Sequence, residues 1–248
     1  MGLAMHNYHS AYRHLPSGLR VDNGILWSGA ILPQLEQTAI FNGLDLDQPL
    51  HLGNNADILR LQVVTFLCPS ASVSETFDHG VSQRATVTYI GCASGTVSRE
   101  TAPDNLLYQL QQDGMLYRDS CVRLSHVTDG TAHTILIGET LVSDVAGRID
   151  GSGLPQFVDH WGIASPTLAN NEVSEALGST RVKINIAVDA EGPHFPDERE
   201  LSFSSHHPAG VHFVFSDGHV EMFSHQIDAK LYSALGTRRS KEIIPPRN

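Results

Sequence analysis

The sequence predicts an α+β fold. Three observations carry this. An apolar stripe at helical spacing opens the chain, short β-branched runs recur along it, and residues 211–223 have the pattern of an antiparallel hairpin. Ala4, Tyr8, Ala11, Tyr12 and Leu15 fall at i, i+4, i+7, i+8 and i+11, one face of a helix that Pro16 and Gly18 stop. No N-cap residue precedes the first turn, so residues 1–16 read as the C-terminal part of a longer helix. His6, His9 and His14 read as surface or helix-end residues.

Further along, Trp27 to Leu44 predicts a short helix with Pro33 in its first turn and Gly43 at its end. Asn54 to Leu61 predicts another. Val63 to Leu67 is an apolar run before Cys68-Pro69-Ser70 and reads as a strand, as does Thr86 to Ile90. Residues 98–120 read as loop. Thr134 to Ile137 predicts a strand after the turn signal Asp129-Gly130-Thr131. Residues 143–180 read as a loop-rich insertion within a single domain spanning 1–248. Residues 181–188 alternate polar and apolar like a half-buried strand. Residues 226–236 predict a last helix ending at Gly236, and the tail RRSKEIIPPRN is expected to be loosely held.

The sharpest local signal is VHFVFSDGHVEMF, residues 211–223. Asp217-Gly218 between alternating runs predicts a two-residue type I′ hairpin. That register sets Phe215 opposite Val220, Phe213 opposite Met222 and Val211 opposite Ser224, an apolar core face. The other face then carries His212, His219 and Glu221 together.

Composition bounds the function classes. The chain has 248 residues, with 41% hydrophobic and 17% charged residues, enough for a buried core and against extensive disorder. Asp and Glu number 27 against 16 Lys and Arg, a net charge of −11, which disfavours nucleic acid and anionic membrane surfaces as partners. No apolar run is long enough to span a bilayer, and no signal peptide opens the chain. Cys68, Cys92 and Cys121 cannot build a zinc site alone; they allow one disulfide, in three pairings.

These segments resemble a bacterial family, the DUF1559 proteins, described as prepilin-type proteins with an H-X9-DG C-terminal domain. His207, nine residues, then Asp217-Gly218 form the motif, within SSHHPAGVHFVFSDGHVEMF at 204–223. The family pattern has Gly-Gly after His-Pro; here Pro208 is followed by Ala209 and Gly210. LAMHNYHSAYRHLPSG near the start, LPQLEQ at 32–37, FLCPS at 66–70 and VTDGTAHTILIGE at 127–139 also match, with His133 where the family has Asn. The resemblance implies a pilin-like head: a helix end packed on an antiparallel sheet, with a larger β and loop insertion and the motif hairpin at 200–225. It implies a type IV prepilin or type II secretion pseudopilin-like protein, held in a membrane by an apolar helix ahead of residue 1. The expected location is extracytoplasmic, and the expected partners are other pilin-like subunits or secretion machinery.

Two readings of H-X9-DG stand side by side. In the structural one, Asp217-Gly218 makes the turn while His207, Pro208 and Gly210 shape the neighbouring loop. In the chemical one, the imidazoles of His206, His207, His212, His219 and His225, with Asp217 and Glu221, bind zinc, copper or nickel; His212, His219 and Glu221 are the set the hairpin places together. By the pseudopilin parallel, calcium would use oxygens among Asp189, Glu191, Asp197, Glu198 and Glu200, although no EF-hand pattern is present. No G-x-S-x-G elbow supports a hydrolase. Cys68 and Cys92, both at strand ends near turns, are the favoured disulfide pair. The expectation is a structural, filament-assembly or surface-binding protein that needs no cofactor and is not an enzyme. A metal- or solute-binding extracytoplasmic protein is the alternative, and a hydrolase the third reading.

Overall fold

The computed structural model describes residues 1–48, 52–71, 76–79, 81–96, 112–141, 159–163, 175–185 and 201–241. Its architecture is α+β. The helices are α1 (Gly2–Tyr12), α2 (Trp27–Ala30), α3 (Thr38–Gly43), α4 (Gly53–Ile58) and α5 (Ala229–Leu235). The strands are β1 (Thr76–His79), β2 (Val81–Ala85), β3 (Tyr89–Ser94), β4 (Ile135–Glu139), β5 (Leu177–Ser179), β6 (Val211–Phe215) and β7 (Val220–Phe223). β1 and β2 form an antiparallel ribbon. The main sheet has the order β5-β3-β4-β6-β7, antiparallel except where β5 joins β3 in parallel.

β4 lies at the centre, and all five of its residues are buried. Its side chains serve both faces. Leu136 and Ile137 join the larger core with Ala4 and Met5 of α1, Trp27, Phe66, Leu116 and Trp161. Ile135 joins the second core, built from Ile90, Cys92, Phe203, Val211, Phe213, Phe215 and Leu235. A strand buried on both faces reads as a continuous apolar run, which ILI is. α5 is capped by Asp228, whose carboxylate accepts from the N–H groups of Lys230 and Leu231, and it stops at Gly236 as expected. Among the described residues, no helix is long and apolar enough to cross a membrane.

Several expectations are corrected. The first helix ends at Tyr12, where Arg13 turns left-handed (φ 66°), ahead of the Pro16 stop. The expected stripe is not the buried face: Ala11 and Tyr12 are exposed, Tyr8 is half-buried and buried Leu15 lies beyond the helix, which packs through Gly2, Ala4 and Met5. The segment from Trp27 to Leu44 splits into α2, a 3-10 turn over Leu32–Leu35 containing Pro33, and α3. Val63 to Leu67 is not a strand: Val64–Phe66 form a 3-10 turn that buries Phe66 and exposes Val64. β3 begins at Tyr89 rather than Thr86, which makes an isolated bridge to His160 outside the sheet. Residues 177–179, expected in a loop, form β5. Of the strand expected at 181–188, residues 181–185 are turns and bends, with Asn185 at φ 64°, although the alternating burial of Val182 and Ile184 is real; 186–188 lie outside the described residues. The tail is anchored at its start, where buried Arg238 donates to the carbonyls of Gln112 and Gly114 and the N–H groups of Ser240 and Lys241 reach Asp129; the rest of it, 242–248, lies outside the described residues.

The hairpin exists, in a different register. Phe215 and His219 flank a three-residue connection, with the Gly218 N–H on the Phe215 carbonyl at 2.9 Å and Gly218 at φ 94°. Ser216-Asp217-Gly218 thus replaces the two-residue turn, and one extra residue slips one strand by one position. The observed pairs are Val211–Phe223, His212–Met222, Phe213–Glu221 and Val214–Val220. Val211, Phe213 and Phe215 are core as expected, while Val220 and Met222 are exposed instead of buried.

Candidate functional site

The nine-residue spacer of the motif has a physical length. β6 separates His207 from Asp217-Gly218 by roughly 17 Å of strand, and it runs antiparallel to β4. The two halves therefore meet opposite ends of β4. At one end, the N–H groups of Ser216 and Asp217 donate to the carbonyls of Thr134 and Thr131, just ahead of β4. At the other, His207 meets Glu139, the last residue of β4. H-X9-DG is two fastenings at the ends of one strand pair rather than one cluster.

At the Asp217 end, Oδ1 accepts from the backbone N–H of His219 at 3.0 Å and lies 2.6 Å from its Nδ1. Burial pushes the Asp217 carboxyl up, but the His219 N–H and imidazole outweigh it and hold it below the ordinary value of 3.8. The His219 ring stacks on Phe215 at 4.4 Å. Its Nε2 stands 3.7 Å from Glu221. His212 does not join them: the register places it on the opposite face, so the set His212, His219 and Glu221 is not assembled.

The His207 end holds the concentrated chemistry. The loop before β6 turns through a hydrogen bond from the Gly210 N–H to the His207 carbonyl. Gly210 is buried at φ 144°, and a Cβ there would stand 2.0 Å from the Phe223 carbonyl oxygen, so only glycine fits. Pro208 is exposed. Glu139 is 3% exposed and closes β4 with a charge among apolar residues. Its Oε2 accepts from the His212 N–H at 2.8 Å and lies 3.2 Å from His212 Nδ1. Its Oε1 is 3.2 Å from His207 Nε2. The same His207 nitrogen is 3.5 Å from the Cys68 sulfur. Tyr89 faces Glu139 across β3–β4, and burial, with Cys68 and Glu139 beside it, pushes its phenol above the ordinary range. A surface depression opens onto Cys68, Glu139 and His207, with Ser70, Ser205 and His206 also in its wall.

Cys68 and Cys92 are not joined, and all three cysteines are free thiols. Cys92 points into the second core, and burial pushes its thiol up to about 12. Cys68 is half-buried, with its backbone N–H on Thr88 Oγ1 just ahead of β3. The calcium candidates Asp189, Glu191, Asp197, Glu198 and Glu200 lie outside the described residues. His9 of α1 is half-buried and accepts from the Leu124 N–H, and His6 Nε2 is buried, so these two histidines face other segments rather than solvent alone.

A Cys–His–carboxylate group invites comparison with a nucleophilic triad. In a triad the imidazole faces the nucleophile with one nitrogen and the acid with the other. Here one nitrogen, Nε2, faces both, so the sulfur, the nitrogen and the carboxylate oxygen lie within 4.8 Å of one another. Sequence reasoning reached His207 but missed Glu139 and Cys68 as its partners. The available signal was the lone carboxylate that closes the apolar run ILIGE.

No curated protein and no solved structure matches the chain. The family model described as "Protein of unknown function (DUF1559)" matches residues 1–230, nearly the whole sequence. The chain belongs to the DUF1559 family.

Proposed function

We propose that this protein is the head of a pilin-like, membrane-anchored extracytoplasmic protein that acts by assembly and partner binding, without turnover. The placement of α1 carries this reading. Its first turn buries Gly2, Ala4 and Met5. Gly2 lies against Val214 of β6 and the Gly218 turn, where an added Cβ would come within 3.1 Å of Val214 and 3.3 Å of the Gly218 carbonyl oxygen. The helix thus meets the sheet at its hairpin end, and helical sequence ahead of Gly2 would run off that end as a stalk. The motif fits the same reading, because its Asp217-Gly218 half closes a turn and its Gly210 lets the backbone of the loop approach β7.

The test is fractionation and crosslinking of the natural gene product in its own cells. The expected result is protein in the membrane fraction, open to protease from the outer side, with crosslinked multiples of the subunit. Protein that is soluble inside the cell and remains a monomer under the same crosslinking would overturn the reading.

A further inference from the structure

We propose that Cys68 Sγ, Glu139 Oε1 and His207 Nε2 form a mononuclear site for a transition metal of the zinc class. The inference is independent of the filament reading. These three atoms lie within 4.8 Å of one another, and they come from three separate segments of the fold. The two spacings that involve His207 suit a tetrahedral ion. Bonds of ~2.0 Å to N and O and ~2.3 Å to S place N and O ligands ~3.3 Å apart, and S and N ligands ~3.5 Å apart. The observed distances are 3.2 Å for His207 Nε2 to Glu139 Oε1 and 3.5 Å for Cys68 Sγ to His207 Nε2.

Chemistry narrows the class. A thiolate and an imidazole select zinc and its neighbours over calcium or magnesium, which take oxygen. One nitrogen facing a sulfur and a carboxylate oxygen can aim a single proton at only one of them, whereas a cation between the three satisfies all. The carboxylate is held ready: His212 occupies Oε2 through its backbone N–H and ring, leaving Oε1 toward the site. Three protein ligands beside an open depression leave the fourth position to water or a small ligand.

The test uses tag-free, reduced, chelator-stripped protein titrated with Zn2+ and with Co2+. The expected result is one Zn2+ per chain, a raised melting temperature, and a thiolate-to-cobalt charge-transfer band in the near ultraviolet. Cys68→Ser should abolish the band, and His207→Gln should weaken zinc binding by at least ~100-fold, the upper range for changes one shell further out. Both sites are partly exposed, so these variants are expected to fold. His219→Gln should bind like the parent. Absence of a one-to-one complex, or a band that survives Cys68→Ser, would overturn the proposal. So would binding lost with His219 and kept without His207.

Discussion

The backbone N–H of His212 donates to Glu139 Oε2 at 2.8 Å, and the His212 ring meets the same oxygen at 3.2 Å. A nearly buried carboxylate thus ties the end of β4 to the start of β6. Removing the charge leaves these donors on a weaker acceptor and sets an amide N–H2 group against one of them. Glu139→Gln should therefore cost about 2 kcal/mol of stability, and Glu139→Ala more. Glu221→Gln, at a half-exposed position of β7, should cost under ~0.5 kcal/mol. Urea unfolding with a chelator present separates them; equal midpoints for the parent and Glu139→Gln would contradict the role given to this carboxylate.

Ala209 and Gly210 are neighbours with opposite tolerance. Ala209 is exposed and has no positive φ, so its departure from the Gly-Gly pattern strains nothing. Gly210 has φ 144° and the Phe223 carbonyl where a Cβ would go. Ala209→Gly should change stability by less than ~1 kcal/mol, through unfolded-state entropy. Gly210→Ala should cost at least ~2 kcal/mol from strain and clash together. Thermal melts of the two variants check this, and comparable losses would count against the loop geometry.

Much of the fold was legible because its signals are local. The presence of a helix at α1, the apolar run of β4 and a hairpin reversal at Asp217-Gly218 each rest on a few neighbouring residues, although α1 packs through Gly2, Ala4 and Met5 and of the expected stripe buries only Ala4 within the helix. What failed depends on partners distant in sequence. The apolar run at 63–67 carries no period, and only tertiary packing makes it a turn that sinks Phe66 and leaves Val64 outside. β5 exists because β3 offers it an edge, and Leu-Gly-Ser shows no alternation. The hairpin register hung on one residue of loop length, and that residue moved His212 away from His219 and Glu221. His207 stands 139 positions from Cys68 and 68 from Glu139, so no spacing rule could join them.

The Asp217 turn gives a pH dependence with a defined sign. Its folded carboxyl titrates below 3.8, held down by the His219 N–H and ring against the upward push of burial. A depressed carboxylate contributes stability above its unfolded value, and that contribution fades as pH falls below 3.8 toward the folded value. The group is exposed, so the contribution should be under ~0.5 kcal/mol. Asp217→Asn keeps an oxygen for the His219 N–H and should remove this part of the acid dependence. Carboxyl-carbon NMR titration checks it directly: a midpoint at or above 3.8 would contradict the turn geometry.

The thiols separate a reduced protein from a bridged one. Cys121 is exposed, Cys68 is partly buried, and Cys92 is sealed in the core with its thiol pushed up to about 12 by burial, with Asp113 adding to the shift. Because the thiolate is the reactive form, a thiol that titrates so high and meets no solvent should be inert in the native state. Ellman's reagent at pH 8 should therefore modify Cys121 first, Cys68 more slowly and Cys92 only on unfolding. In denaturant without reductant all three should react. A single reactive thiol would instead mean that two cysteines are bridged. A Cys68–Cys92 bridge would need Cys92 to leave the core formed with Phe213 and Leu235, so it would come with loss of packing between the sheet and α5.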